Sequence, residues 1–458
     1  MLSIHTRSCA KALTSLGAQV APLRRPFSNA ASSLPTSPFA PRHLLSIADL
    51  SPAELTTLVR NAALHKSAIK SGLVPRSLQG ALAGKTVAMS FSKRSTRTRI
   101  STEGAVVAMG GHPMFLGKDD IQLGVNESLY DTSVVISSMT AGIVARVGPH
   151  SDVADLAKHS SVPVINALSD LYHPLQTVAD FLTVHEAFPA APRPGSSSST
   201  ATPGLGLEGL KLAWVGDANN VLFDLAIGAA KLGVDLAVAT PKGYEIPAEM
   251  RDIIKSAAAS APQPGLLTET TVPEEAVKNA DILVTDTWIS MGQEDERVKR
   301  LKAFEGFQIT SDLARRGGAK EGWKFMHCLP RHQEEVSDEV FYNPSRSLVF
   351  REAENRLWAA ISVLEAFIVN KGKIPPPPAA PLSLFADVGK ATHGDDGEDA
   401  CADLADAVAE VEQADGEAAE DDGEVEPREE GALIGKEDFG LDALAEKWDK
   451  IALKRILD

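Results

Sequence analysis

Thr86-Val87-Ala88-Met89-Ser90-Phe91, running straight into Ser92-Lys93-Arg94-Ser95-Thr96-Arg97-Thr98-Arg99, is the stretch that decides the fold. The first six residues are mostly apolar or β-branched and too few for a helix, which predicts a buried strand. The next eight form a polar turn, and a helical pattern follows near Thr98–Met109. Strand, turn and helix in that order are the unit of a parallel α/β sheet. Further strand-length apolar runs lie at Ile143–Val147, Val162–Asn166, Leu210–Val215, Asp235–Ala239, Ile282–Thr285 and Lys324–His327. Helical patterns separate several of them, so the chain reads as α/β with mainly parallel sheets.

Upstream, Ser51-Pro52-Ala53-Glu54 supplies an N-cap serine, a proline at the first helical position and a glutamate three residues past the cap. Leu55, Leu58, Val59 and Ala62 then repeat with helical spacing, and ordered structure is expected from about His43. Downstream, a last strong helix spans Ala353–Val369 and ends before Pro375–Pro378.

The polar turn after the first strand has the makings of an anion pocket. Helix-terminal N–H groups, three hydroxyls and an arginine fork suit phosphate, although a solvated basic cap has the same composition. Gly80-Ala-Leu-Ala-Gly84-Lys85-Thr86 is one residue short of a P-loop and precedes a strand, which disfavours nucleotide binding. Arg146 ends an apolar strand, a placement that fits a site or a structural ion pair. His173-Pro174-Leu175-Gln176 offers an imidazole and an amide that can orient a carbonyl and an amino group. By itself that motif is weak.

In the second half, Trp214–Asn220 is a strand, a tight turn and a helix start without G-x-G-x-x-G, so no dinucleotide fingerprint is supported. Asn219 and Asn220 fit a helix cap or amides offered to a ligand. Asp286-Thr-Trp288-Ile-Ser290-Met291-Gly292 follows another buried strand. Its carboxylate can neutralise an ammonium and its backbone N–H groups can hold a carboxylate; an ordinary cap and turn fits the spacing equally well. His327-Cys328-Leu329-Pro330 closes the Lys324–His327 strand. His327, Cys328 and His332 lack a fourth ligand nearby, so no metal is expected.

Composition narrows the class of protein. The 458 residues carry a formal net charge of −16. That surplus sits between Asp387 and Glu430, where 18 Asp/Glu face only Lys390 and Arg428. The remaining residues balance, which argues against a nucleic-acid partner. No apolar run reaches membrane-spanning length. Cys9, Cys328 and Cys401 are too few and too scattered for a disulfide framework or a four-cysteine zinc site. Residues 1–48 contain no acid but include Arg7, Lys11, Arg24, Arg25 and Arg42, the composition of a mitochondrial transit peptide. A matrix location is the corresponding expectation.

Four motifs in this order resemble the aspartate/ornithine transcarbamylase family. Its Ser-x-Arg-Thr signature stands at Ser95–Thr98 and His-Pro-x-Gln at His173–Gln176. The signatures of the ornithine-type branch, Asp-x-x-x-Ser-Met-Gly and His-Cys-Leu-Pro, stand at Asp286–Gly292 and His327–Pro330. The resemblance implies two domains, each with a mainly parallel sheet flanked by helices, and a C-terminal helix packing back on the first. It also implies transfer of the carbamoyl group of carbamoyl phosphate to the δ-amine of L-ornithine, without metal or organic cofactor. Ser95, Thr96, Arg97, Thr98, Arg146, His173, Gln176 and Arg356 would bind carbamoyl phosphate. Arg146 and His173 would polarise its carbonyl. Asn220, Asp286, Ser290, Met291, Cys328 and Leu329 would hold ornithine, with Asp286 and Cys328 catalytic. A homotrimer is implied too, with Gln122 reaching a neighbour's site.

The expected organisation follows from these readings. Residues 1–42 form the leader, 43–188 the carbamoyl-phosphate-binding domain and 189–206 a Pro/Ser-rich insertion. Residues 207–345 form the ornithine-binding domain, 346–371 the returning helix and 372–458 a Pro-rich, acidic, disordered extension. Leu441–Leu457 has the spacing of a short terminal helix. Two other functions compete: a transcarbamylase acting on putrescine or a related diamine, and an inactive homologue whose acidic tail recruits partners. Intact Arg97, His173, Asp286 and Cys328 count against the second.

Overall fold

The computed structural model describes residues 40–118, 127–189, 204–289 and 296–375. The acid-free leader before residue 40, residues 190–203 of the Pro/Ser tract and the acidic extension with Leu441–Leu457 lie outside the described residues.

The α/β reading holds, in two all-parallel sheets. The first contains β1 (Thr86–Phe91), β2 (His112–Gly117), β3 (Gly142–Arg146) and β4 (Val164–Leu168), in the order β2-β1-β3-β4. The second contains β5 (Lys211–Val215), β6 (Asp235–Ala239), β7 (Leu267–Thr270), β8 (Ile282–Thr285) and β9 (Lys324–His327), in the order β7-β6-β5-β8-β9.

Around the first sheet lie α1 (Pro52–Lys70), α2 (Thr96–Ala108), α3 (Leu129–Met139), α4 (His150–His159) and α5 (Pro174–Ala187). With the second come α6 (Asn220–Leu232), α7 (Ala248–Ala259), α8 (Pro273–Val277), α9 (Arg297–Ala303), α10 (Ser311–Gly317) and α11 (Asp338–Phe341). A final helix, α12 (Val349–Leu364), continues as a π-helical stretch through Glu365–Val369. It returns to the first domain and packs on α5, α2 and α1.

Local chemistry explains most element ends. Ser51 accepts from the Glu54 N–H and Glu54 reaches back to the Ser51 N–H, the reciprocal cap expected of that stretch. Two strands, β2 and β7, carry no strand signal in the sequence. Both are sheet edges. β2 contains Pro113 and β7 reads Leu-Thr-Glu-Thr, mostly solvent-facing, so neither shows a buried apolar run. They form because a central strand offers its free edge. The last helix also begins four residues before Ala353, the extra turn being anchored by buried Val349.

The two halves meet across α5 and α6. Gly228 permits this approach: a Cβ there would lie 2.5 Å from Phe181 Cε2 and 3.0 Å from Thr177 Cγ2. Asp224 on α6 then accepts three hydrogen bonds, from Ser46 Oγ (2.8 Å), the Ile47 N–H (2.9 Å) and the His173 N–H (2.8 Å). Lys231, on the same face of α6, donates to the carbonyls of Ile47, Ala48 and Leu50. A buried carboxylate and a buried ammonium thus hold the chain entering the first domain against the second.

Candidate functional site

The site grows from the carboxyl ends of the strands, where parallel α/β sheets leave loops and helix N-termini facing outward. After β1, Ser95 caps α2 by accepting from the Thr98 N–H at 3.3 Å. Thr98 is buried, Ser95 and Arg97 are half-buried, and Thr96 is exposed. Arg146 is the last residue of β3 and is buried. Its Nε has no hydrogen-bond partner among the described residues. Past β4, His173 is the residue from which α5 starts, and Pro174 and Gln176 occupy the first turn.

Arg356 comes from α12 into the same place. Its NH1 donates to Gln176 Oε1 at 2.7 Å and lies 3.5 Å from His173 Nε2, while NH2 donates to Thr98 Oγ1 at 3.3 Å. Arg97 crosses between the halves, its NH2 donating to the Leu329 carbonyl at 2.5 Å. Three motifs distant in sequence therefore converge with the returning helix.

Electrostatics follow from this crowding. Burial, reinforced by the charge of Arg97, lowers Arg146 to about 10. Burial likewise lowers Arg356 to about 10, partly opposed by Cys328. Both stay charged at neutral pH. His173 is driven well below its ordinary value by burial and then by Arg356, Arg146 and Arg97, so its ring is a neutral imidazole. A group of arginines around a neutral N–H donor suits a dianion attached to a carbonyl.

The second half adds a polar pair. Asp286, just past β8, accepts from Cys328 Sγ at 3.0 Å; Cys328 follows β9 directly. Burial, then the negative charges of Asp286 and Glu352, push the Cys328 thiol well above its ordinary value, so it is a protonated donor and not a thiolate. Asp286 is steadied on its other oxygen by Asn219 Nδ2 at 2.8 Å. Asn219 Oδ1 meanwhile caps α6 through the Val221 and Leu222 N–H groups. Asn220, the other asparagine of that turn, donates to the Ser169 carbonyl at 2.6 Å.

Asp286, His327 and Cys328 lie close enough to invite a metal, with ligand atoms within 4.8 Å of one another. The imidazole argues against it. His327 Nδ1 accepts from the Leu329 N–H (2.9 Å), which leaves Nε2–H to donate to Glu335 (3.0 Å), so neither nitrogen has a lone pair to give.

Gln122, Ser290 and Met291 lie outside the described residues. Sequence reasoning missed Asp180 and Glu352, both buried, whose carboxyl oxygens accept from Gln176 Nε2 at 2.8 and 3.0 Å. Burial raises both carboxyls, and their mutual repulsion raises Glu352 further. Asp224, behind His173, was missed as well. For Asp180 and Asp224 a signal existed, an acid inside an otherwise apolar helical stretch, as in Val178-Ala179-Asp180-Phe181 and Leu222-Phe223-Asp224-Leu225; Glu352, between Arg351 and Glu354, had none.

Both halves of the chain match known proteins. The profile described as "Aspartate/ornithine carbamoyltransferase, carbamoyl-P binding domain" matches residues 42–186, and the one described as "Aspartate/ornithine carbamoyltransferase, Asp/Orn binding domain" matches residues 208–367. A protein of Aspergillus terreus named "Ornithine carbamoyltransferase, mitochondrial" is 74% identical over 346 residues, covering 76% of this chain and 94% of its own. One of the same name from Emericella nidulans is 75% identical over 340 residues, covering 74% of this chain and 92% of its own. The crystal structure of a mitochondrial ornithine carbamoyltransferase from Coccidioides immitis superposes with a TM-score of 0.67 at 70% identity, covering 73% of this chain and all of that one.

Proposed function

The chain belongs to the aspartate/ornithine carbamoyltransferase family, and we infer that it transfers the carbamoyl group of carbamoyl phosphate to the δ-amine of L-ornithine, giving L-citrulline and phosphate. The observation that carries the choice of amine is the Asp286–Cys328 pair set opposite Arg97, Arg146 and Arg356. A carboxylate and a neutral thiol suit an amino acid's ammonium and a neutral attacking amine; the arginines suit a phosphate.

The residues divide the work as follows. Ser95, Thr96, Arg97 and Thr98 bind the phosphate at the start of α2, joined by Arg356. Arg146 and the neutral His173 donate to the carbonyl oxygen, which gains negative charge as the tetrahedral intermediate forms. Preorganised donors of this kind contribute about 2.7–4 kcal/mol each. Asp286 takes the α-ammonium of ornithine, with Asn220, Ser290 and Met291 as further contacts to its α-substituents. The δ-ammonium first loses a proton. Its lone pair then attacks the carbonyl carbon beside Cys328 and the Leu329 carbonyl, and the C–O bond to phosphate breaks with the electron pair leaving on phosphate. No covalent bond to Cys328 is needed. Holding the two reactants in line removes roughly 7–11 kcal/mol of barrier.

The biological setting is read in the same way. The acid-free first 48 residues and relatives named mitochondrial support import into the matrix and a role in arginine biosynthesis. A homotrimer, with Gln122 completing a neighbour's site, is supported by exposed apolar side chains on α2, β2 and α3: Ile100, Val107, Met114, Tyr130, Val135 and Met139. Sedimentation is expected to give three chains; a fully active monomer would exclude it.

The deciding experiment measures carbamoyl transfer from carbamoyl phosphate with ornithine, putrescine and aspartate side by side. Citrulline from ornithine, with the other two far behind, is the expected result. A preference for putrescine or aspartate overturns the choice of amine, and no product from any of the three overturns the activity.

A further inference from the structure

The amide of Gln176 has its orientation decided by its neighbours. Its Nε2 faces Asp180 Oδ1 (2.8 Å) and Glu352 Oε1 (3.0 Å), and its Oε1 faces Arg356 NH1 (2.7 Å). A guanidinium only donates, and carboxyl oxygens accept here, so the flipped amide would set donor against donor. Both amide hydrogens are committed to the acids. What remains of Gln176 is one lone pair on Oε1, unused by any described residue.

Glu352 holds more than this amide. Its other oxygen accepts from the His327 N–H at 2.9 Å, so one buried carboxyl on α12 joins α5 of the first domain to the end of β9 in the second. That β9 terminus carries Cys328.

We propose that Asp180 and Glu352 are positioning residues that lock Gln176 as a hydrogen-bond acceptor, making the site selective for an acyl phosphate that bears an –NH2 group. The inference rests on the carbamoyl-transfer reading above and deepens it. An acyl phosphate with a methyl in place of the amino group has no hydrogen for Gln176 Oε1. Losing that hydrogen bond, with a methyl set against the remaining Oε1 lone pair, is worth about 10- to 100-fold in affinity. The carboxyl pair thus discriminates without touching the substrate.

The test uses the full chain and three small molecules: KM for carbamoyl phosphate, and inhibition constants for acetyl phosphate and for inorganic phosphate. In the wild type, acetyl phosphate is expected to bind at least about 10-fold more weakly than carbamoyl phosphate. Glu352→Gln offers one acceptor oxygen where the acid offers two, so His327 N–H and Gln176 Nε2 compete for it. That variant is expected to raise KM for carbamoyl phosphate by about 10- to 100-fold and close most of the gap to acetyl phosphate, while inorganic phosphate shifts less than about threefold. A general loss of structure would weaken all three together. Equal binding of carbamoyl and acetyl phosphate by the wild type overturns the proposal even where the variant fails to fold, as does a Glu352→Gln enzyme that keeps the wild-type gap. Wild-type enzyme that makes no citrulline overturns instead the function on which the proposal stands.

Discussion

Cys328 Sγ donates to Asp286 Oδ1 across 3.0 Å, a contact between the carboxyl ends of two neighbouring parallel strands. The pairing favours the protonated thiol, because burial and the facing carboxylate both oppose a thiolate.

Alkylation reads this directly. At pH 8 the peptide containing Cys328 is expected to react with iodoacetamide at least about 10-fold more slowly than a free thiol. Asp286→Asn should speed it. Labelling at the solution rate would contradict a protonated thiol. In parallel, Cys328→Ala should raise KM for ornithine and leave KM for carbamoyl phosphate nearly unchanged.

Asn219 supports Asp286 and caps α6 with the same side chain. Asn219→Ala is expected to cost about 1 kcal/mol of stability in a urea titration. It should also raise the ornithine KM severalfold. A stability loss with wild-type ornithine kinetics would show that the cap is its whole role.

Among the described residues Asp224 is the only acceptor for the His173 N–H and for the Ile47 N–H, and it takes Ser46 Oγ as well. Asp224→Ala strands buried donors and is expected to destabilise by about 3 kcal/mol or more. Because one of those donors belongs to His173, kcat should fall further than stability alone explains, measured under conditions where the variant is fully folded.

Gly228 lets α6 reach α5. Gly228→Ala must push against Phe181 and is expected to cost about 1–3 kcal/mol by overpacking. A Phe181→Leu change in the same chain should recover part of the loss, read as the shift in urea midpoint.

His43 accepts from the Val164 N–H at 3.0 Å, and burial lowers its imidazole from 6.5 to about 4. Between those values the unfolded chain binds the proton and the folded chain does not. Stability contributed by neutral His43 is therefore complete above about pH 6.5 and is lost as pH falls toward 4. His43→Asn keeps an acceptor without the titration, so its stability should fall less than the wild type's between pH 7 and pH 5. Identical slopes would exclude His43 as the source.

The α/β class, the central strands and the motifs that the fold gathers can all be read along the chain. β1, β6, β8 and β9 lie where their apolar runs place them, because a strand buried on both faces needs a continuous apolar stretch that survives any context. Ser95–Thr98, Arg146, His173 and Cys328 were legible through their resemblance to a known family's motifs, since pattern alone left each of them open to a structural role.

What those residues face is set by the assembled fold. β2 and β7 owe their existence to a neighbour's free edge, which no local pattern records. Asn219 holds Asp286 while Asn220 turns to the Ser169 carbonyl, a division made by the turn's backbone and not by residue type. Glu352 meets the Gln176 amide across 176 positions of chain and Asp224 meets its partners across 51 and 178, whereas Asp180 reaches the same amide from one helical turn away. A hydrogen bond's worth depends on burial and on the atom opposite, and both are properties of the assembled fold.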